Sequence, residues 1–254
     1  MTRPQHGNTL RVLQLTDPHL FADRDGALRE RNTWQSLAAV IEHYEANDWD
    51  ADLVYLTGDL VQDDSREAYR NLRALVDTIG LPVHVVPGNH DVPDLMRQEL
   101  ADYATCSTID ANGWRIVGVD THEPGVASGR VGTTELERLG TLLAETDQPV
   151  AIFMHHPPVD LDSEWLDSVG LADREEFLEL VRESGVVKLV VFGHVHQAFD
   201  NESPDVRIIG TPSTGRQFKP GSREFAVDDQ PPAYRQLEFR ADGSFTTQLV
   251  WIDT

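Results

Sequence analysis

Along most of the chain, short apolar runs alternate with stretches whose apolar residues recur every three to four positions. The runs are 10–15 ("LRVLQL"), 52–56 ("DLVYL"), 82–86 ("PVHVV"), 114–119 ("WRIVGV"), 149–154 ("PVAIFM"), 186–192 ("VVKLVVF") and 206–210 ("VRIIG"). They are rich in Val, Ile and Leu and nearly unbroken by polar residues, as expected for strands buried on both faces. The stretches between them predict helices over 33–47, 65–79, 93–104, 133–145 and 173–184. Asn32 stands where an N-cap is needed, with Gln35 three residues on, and Gly80 and Gly185 stop the second and last helices. Beyond a polar loop at 227–233 the period changes to two. "AYRQLEF" and "SFTTQLVWI" alternate about Asp242-Gly243, predicting an antiparallel hairpin over 233–252. No repeat, low-complexity tract or linker interrupts 1–254, so one α/β domain is expected, with the hairpin in its second sheet.

The strand ends carry the chemistry. Five runs finish in polar clusters: "TDPH" (16–19), "TGD" (57–59), "PGNHD" (87–91), "MHHPP" (154–158) and "FGHVH" (192–196). Ligands of open α/β sheets bind beyond the carboxyl ends of strands. Five such ends in one sheet would bring Asp17, His19, Asp59, Asn89, His90, His155, His194 and His196 to one crevice. Carboxylate, imidazole and amide oxygen without thiolate suit first-row divalent ions such as Fe, Mn, Zn or Co. Eight such groups are too many for one ion, and a shared carboxylate makes two natural. Each cluster alone is weak, because "GD" is a common turn and "DPH" can be a simple Asx-turn. The five together are not weak. His84, inside an apolar run, reads as packed; His6, His43 and His122 read as surface or structural residues.

Charge and cysteine content narrow the setting. Twenty-one basic against 43 acidic residues give a net charge of −22, and only Lys188 and Lys219 among the bases are lysine. Such a surface occurs in salt-adapted proteins and also arises by drift in a GC-rich genome. Without a basic stripe to neutralise phosphates, long nucleic acids are repelled, which counts against a nuclease. Cys106 is the single cysteine, so no internal disulfide can form and a reducing cytoplasm fits. Cys106 itself reads as a small core or helix residue. The opening residues lack a signal peptide's apolar segment, and no apolar run is long enough to span a bilayer. The expectation is cytoplasmic, with no membrane partner.

The succession Asp17-Pro18-His19, Gly58-Asp59, Gly88-Asn89-His90-Asp91, His155 and Gly193-His194-Val195-His196 resembles the signature of the calcineurin-like metallophosphoesterases. The loops "THEPG", "SEWLDSVGL" and "TPSTGRQFKPGSREF" further resemble the bacterial 3′,5′-cyclic-AMP phosphodiesterase branch, the class III cyclic nucleotide phosphodiesterases. The resemblance implies a four-layer αββα sandwich of two mixed sheets flanked by helices. It implies one metal held by Asp17, His19, Asp59 and His196, and a second by Asp59, Asn89, His155 and His194, with Asp59 bridging. Iron and manganese are the expected ions, zinc and cobalt the alternatives. Asn89 and His90 would meet substrate, and His90 would be the catalytic histidine, with Asp91 orienting its ring and Gly88 freeing the backbone of the turn. His156 would support the site without ligating.

The implied reaction is hydrolysis of cyclic AMP to 5′-AMP, by in-line attack of a hydroxide bridging the metals. Alternatives sharing the same ligands are a broader phosphodiesterase acting on 2′,3′-cyclic nucleotides or glycerophosphodiesters, and a non-enzymatic binding module on the same fold. The sequence does not place Arg216–Lys219 over the metals, and a homodimer is compatible with the resemblance.

Overall fold

A computed structural model of the chain describes residues 7–202 and 206–253; the reading of His6 lies outside them. The strands that organise the fold are β1 (Thr9–Leu15), β2 (Leu53–Thr57), β3 (Val83–Val86), β4 (Ala104–Thr105), β5 (Thr108–Ala111), β6 (Trp114–Gly118), β7 (Val150–Phe153), β8 (Val187–Phe192), β9 (Phe199–Glu202), β10 (Arg207–Gly210), β11 (Ala233–Arg240) and β12 (Phe245–Trp251). The main helices are α1 (Thr33–Glu45), α2 (Arg66–Val76), α3 (Pro93–Glu99), α4 (Gly132–Ala144) and α5 (Arg174–Ser184). One six-stranded sheet runs in the order β12-β11-β1-β2-β3-β4 and the other β9-β10-β8-β7-β6-β5.

Alternation along each strand explains the unbroken apolar runs. Leu13, Leu15, Val54, Leu56 and Val85 face the helical layer of α1, α2 and α3, where Leu37, Val40, Leu72 and Met96 cover them. Their neighbours Val12, Leu53 and Tyr55 point the other way, into a core shared with Ile116, Phe153, Leu189 and Val191. Across that interface Tyr55 stacks on Phe153 with ring centroids 4.1 Å apart. Val117, Ile152 and Val190 of the second sheet turn outward onto Leu139, Leu143, Phe177 and Val181 of α4 and α5. Both faces of both sheets are therefore covered, which gives the αββα layering.

Local signals behave as their chemistry requires. The Asn32 side chain accepts from Gln35 N at the start of α1, and Gly80 and Gly185 adopt left-handed conformations (φ 67° and 64°) where helices end. The helix predicted over 93–104 is shorter, ending at Glu99, and a tight hairpin joins β5 to β6 through Asn112-Gly113, both at positive φ. The C-terminal hairpin does not lie in the second sheet. It extends the first, with β11 antiparallel to β1 in the register Val12↔Leu237. The pairing has a clear cause: β2 occupies only one edge of β1, and Leu237 and Phe239 complete the core between the sheets from the other. Cys106 is not helical; it sits partly buried between β4 and β5 at φ 46°, and burial pushes its thiol pKa up. Among the described residues no helix is long and apolar enough to cross a membrane.

Candidate metal centre

β1, β2 and β3 run parallel in one sheet, and β6, β7, β8 and β10 in the other. Their carboxyl ends meet at one edge of the sandwich. The loops are stitched together there by backbone bonds from Asp17 N to Gly58 O (3.1 Å), His19 N to Asp59 O (3.0 Å) and Gly193 N to His155 O (3.1 Å). Both carboxylate oxygens of Asp17 accept from His194 N, at 3.1 and 3.0 Å, tying the two sheets to each other.

All eight side chains singled out in the sequence come to this edge, and all but His90 fall into two adjoining sets. In one, His19 Nε2 lies 3.1 Å from His196 Nε2 and 3.6 Å from Asp59 Oδ2, and His196 Nε2 lies 3.3 Å from Asp17 Oδ1. In the other, Asn89 Oδ1 lies 3.2 Å from His155 Nε2 and 3.0 Å from His194 Nδ1; the two imidazole nitrogens are 3.2 Å apart, and Asp59 Oδ1 is 3.4 Å from His155 Nε2. Asp59 thus presents one oxygen to each set.

Tautomers decide what these contacts are. His196 Nδ1 is 2.6 Å from the Arg216 carbonyl and His155 Nδ1 is 2.8 Å from the Thr57 carbonyl. A carbonyl only accepts, so both rings carry their proton on Nδ1 and turn a lone pair on Nε2 inward. The inward atoms include these lone pairs, carboxylate oxygens and the Asn89 oxygen. Acceptors packed this closely repel one another unless a cation lies between them. Their separations, 3.0 to 3.6 Å, lie close to the edges, about 3.0–3.5 Å, of a polyhedron with ligands about 2.1 Å from an ion. The donor set therefore fits two divalent cations.

Electrostatics agree with that fit. Burial, against the pull of Asp59, holds the His19 pKa down to about 3. Burial and then the charge of His155 do the same to His194. Both are neutral, the form that ligates. Burial opposes ionisation of Asp17 and Asp59, yet His196 pulls the first below its ordinary pKa and His155 pulls the second well below. For His155, burial acts downward, but Asp59 prevails and raises the pKa to about 9. Without a cation, the negative charge facing its inward nitrogen favours a second proton there; ligation of an ion would displace that proton and leave the lone pair.

The backbone is strained to build this edge. Asp17, His19, Asp59, His194 and His196 all have positive φ, between 46° and 65°, a conformation costly for residues other than glycine. Gly88 contributes space and not handedness: a Cβ there would lie 2.2 Å from Asp59 N and Oδ1. The left-handed glycine is Gly58, at φ 90°.

Neighbouring side chains hold the frame. Asp91, expected to orient the His90 ring, instead accepts from Gly88 N (2.8 Å), Leu60 N (3.2 Å) and Tyr69 Oη (3.0 Å), clamping the two loops together; burial, then Asp59, raises its pKa to about 7. The His90 ring meets Gln62, with Nδ1 3.3 Å from Nε2, and no pattern in "VQDD" announces that contact. His156 donates from Nε2 to the Ala127 carbonyl (3.2 Å), leaving Nδ1 to accept from Thr121 Oγ1 (2.8 Å). Both its nitrogens are engaged. His122 Nδ1 donates to the Gly88 carbonyl at 2.9 Å, a structural role. His84 bonds Ser107 Oγ at 2.7 Å and is only half-buried.

Residues 10–198 match the calcineurin-like phosphoesterases. The chain belongs to that family. Members work with a dinuclear metal centre and are phosphoesterase hydrolases. The phosphoesterase is 35% identical to the 3′,5′-cyclic adenosine monophosphate phosphodiesterase CpdA of Vibrio vulnificus, over 95% of this chain and 90% of that one. The CpdA of Escherichia coli K12 is 34% identical, with 98% and 92% covered. A probable cyclic nucleotide phosphodiesterase of Synechococcus is also 34% identical, with 97% and 94% covered. Among solved structures, a dimetal phosphatase from Danio rerio has a TM-score of 0.67 at 18% identity, covering 94% of this chain and 98% of that one; this is a likeness of fold.

Proposed function

We propose that this phosphoesterase is a binuclear-metal phosphodiesterase that hydrolyses 3′,5′-cyclic AMP to 5′-AMP. The observation that carries the reading is the placement of Asp59, one oxygen against each imidazole set. It occurs in a chain whose relatives, matched over nearly their whole length, are named cyclic-AMP phosphodiesterases. Asp17, His19, Asp59 and His196 would hold one ion, and Asp59, Asn89, His155 and His194 the other. Oxygen and nitrogen donors without sulfur suit iron or manganese, with zinc or cobalt as alternatives. When bound, two such ions acidify a water and neutralise charge on phosphoryl oxygens.

The chain supplies the remaining parts. The Thr57 and Arg216 carbonyls fix the tautomers of His155 and His196 before any ligand arrives. Water adds to phosphorus, the bond to the 3′-oxygen breaks, and that oxygen takes up a proton. His90 is the donor in this reading: it is half-buried, lines the cavity and packs edge-on to His19 at 5.0 Å. Gln62 steadies the ring in either protonation state. Its amide nitrogen donates to a neutral Nδ1, and its oxygen, after rotation, accepts from a protonated one. The net charge of −22 disfavours polyanions and leaves a small monoanion as substrate. The single cysteine suits a cytoplasmic setting.

A substrate panel at equal concentration tests this: 3′,5′-cyclic AMP, 2′,3′-cyclic AMP, glycerophosphoethanolamine and 4-nitrophenyl phosphate. The highest kcat/KM is expected for 3′,5′-cyclic AMP. Preference for the monoester would make the protein a phosphatase.

A further inference from the structure

A cavity of about 260 Å³ opens onto the proposed metal centre, and part of its lining is aromatic: Trp165, Phe218 and Phe225. The three rings form a mutual edge-to-face triangle. Trp165 lies 5.2 Å from Phe218 and 5.1 Å from Phe225, and Phe218 lies 5.3 Å from Phe225, with interplanar angles of 73°, 72° and 70°. Phe218 also stacks flat on His196, at 4.0 Å and 9°, so this wall begins directly at the proposed ligand set.

Two features are left unexplained by folding. Phe225 is 44% exposed, one of few large apolar side chains left in that state, with the Arg29 guanidinium 4.7 Å above its ring. The indole nitrogen of Trp165 is buried, and among the described residues it has no hydrogen-bond partner. An unpaired buried donor is costly, and an indole can only donate.

We propose that Trp165, Phe218 and Phe225 form a purine-base subsite, with the Trp165 N–H donating to a ring nitrogen of the base. The proposal rests on the phosphodiesterase reading above and deepens it. An aromatic wall beside a phosphoryl site matches a nucleotide, whose base offers a flat face for stacking. A purine presents in-plane ring nitrogens that accept, which the indole lacks in the protein. Its two fused rings also cover more of the wall than a pyrimidine.

The test uses the manganese-loaded protein, Phe225→Ala and Trp165→Phe; Phe218 is left intact because it packs on His196. Calorimetry compares binding of 5′-AMP with ribose 5-phosphate. The wild type is expected to bind 5′-AMP about 5- to 100-fold more tightly, the scale of stacking on an aromatic side chain. Phe225→Ala should bring that ratio near one, and Trp165→Phe should lower it severalfold by removing the N–H. In turnover, the kcat/KM ratio of cyclic AMP to methyl 4-nitrophenyl phosphate should fall with each variant, and cyclic CMP should be the poorer nucleotide for the wild type. Equal binding of 5′-AMP and ribose 5-phosphate by the wild type would overturn the subsite, as would ratios unchanged in both variants. A drop in oligomeric mass with Phe225→Ala and no change in the ratio would also overturn it, marking the wall as a contact between copies. If Phe225→Ala does not fold, as judged by circular dichroism, Trp165→Phe carries the comparison. A wild type that prefers 5′-AMP but does not cleave cyclic AMP would support the subsite and sink the phosphodiesterase reading.

Discussion

Asp59 Oδ1 lies 3.4 Å from His155 Nε2, although the two residues leave different sheets. The other oxygen of the same carboxylate lies 3.6 Å from His19 Nε2. No other side chain faces both sets with separate oxygens among the contacts described, so Asp59 is the predicted bridge. Asp59→Ala should abolish turnover and lower metal content below one ion per chain, against two for the wild type. Elemental analysis after dialysis reads this directly. Retention of two equivalents would remove Asp59 from the bridging role.

The adjacent histidines should separate in the same assay. His155 turns a lone pair inward, whereas Thr121 and Ala127 already engage both nitrogens of His156. His155→Ala is expected to lose an ion. His156→Ala should keep both and slow turnover by about 10–100-fold, as losses among residues supporting metal ligands typically do. The reverse ranking would mean the ligand was assigned to the wrong ring.

Much of this site is legible in sequence because a strand end has little freedom. Once β1, β2, β3, β7 and β8 are placed, Asp17, Asp59, Asn89, His155 and His194 follow within a few residues and must share an edge. What holds them is less visible. The Thr57 and Arg216 carbonyls that fix two tautomers belong to the backbone, which no residue type reveals. Gln62 and the partners of Asp91 depend on how two loops cross. The hairpin partner of β1 was equally hidden, since alternation along 233–252 sets the strands but not the sheet they join. The Asn112-Gly113 turn is different: that dipeptide was a readable hairpin signal for β5 and β6.

Asp91 should matter to stability more than to ligation. It satisfies buried N–H groups of Gly88 and Leu60 and the Tyr69 hydroxyl. Asp91→Ala strands these donors and is expected to cost about 3 kcal/mol. For a chain of this size that lowers Tm by roughly 6–12 °C. Asp91→Asn keeps one acceptor and should lose less. An unchanged melting curve for Asp91→Ala would show that the clamp is dispensable.

His90→Ala should preserve metal content and fold while losing most turnover of cyclic AMP, by about 10²–10⁴-fold if proton donation is its role. The loss should shrink for a diester that releases 4-nitrophenolate, because that leaving group needs little protonation. Comparing kcat/KM ratios, mutant to wild type, for the two substrates decides the matter. Equal ratios would leave His90 an electrostatic role only, and loss of metal would make it a support for Asn89.

The proposed function requires a metal-dependent cleavage of cyclic AMP at the bond to its 3′-oxygen. The direct measurement is chromatography of the products when metal-stripped protein is incubated with cyclic AMP and then given Mn²⁺ or Fe²⁺. No product is expected before metal addition, and 5′-AMP afterwards, with activity saturating near two ions per chain. Appearance of 3′-AMP, or intact cyclic AMP with both metal sites filled, would contradict it.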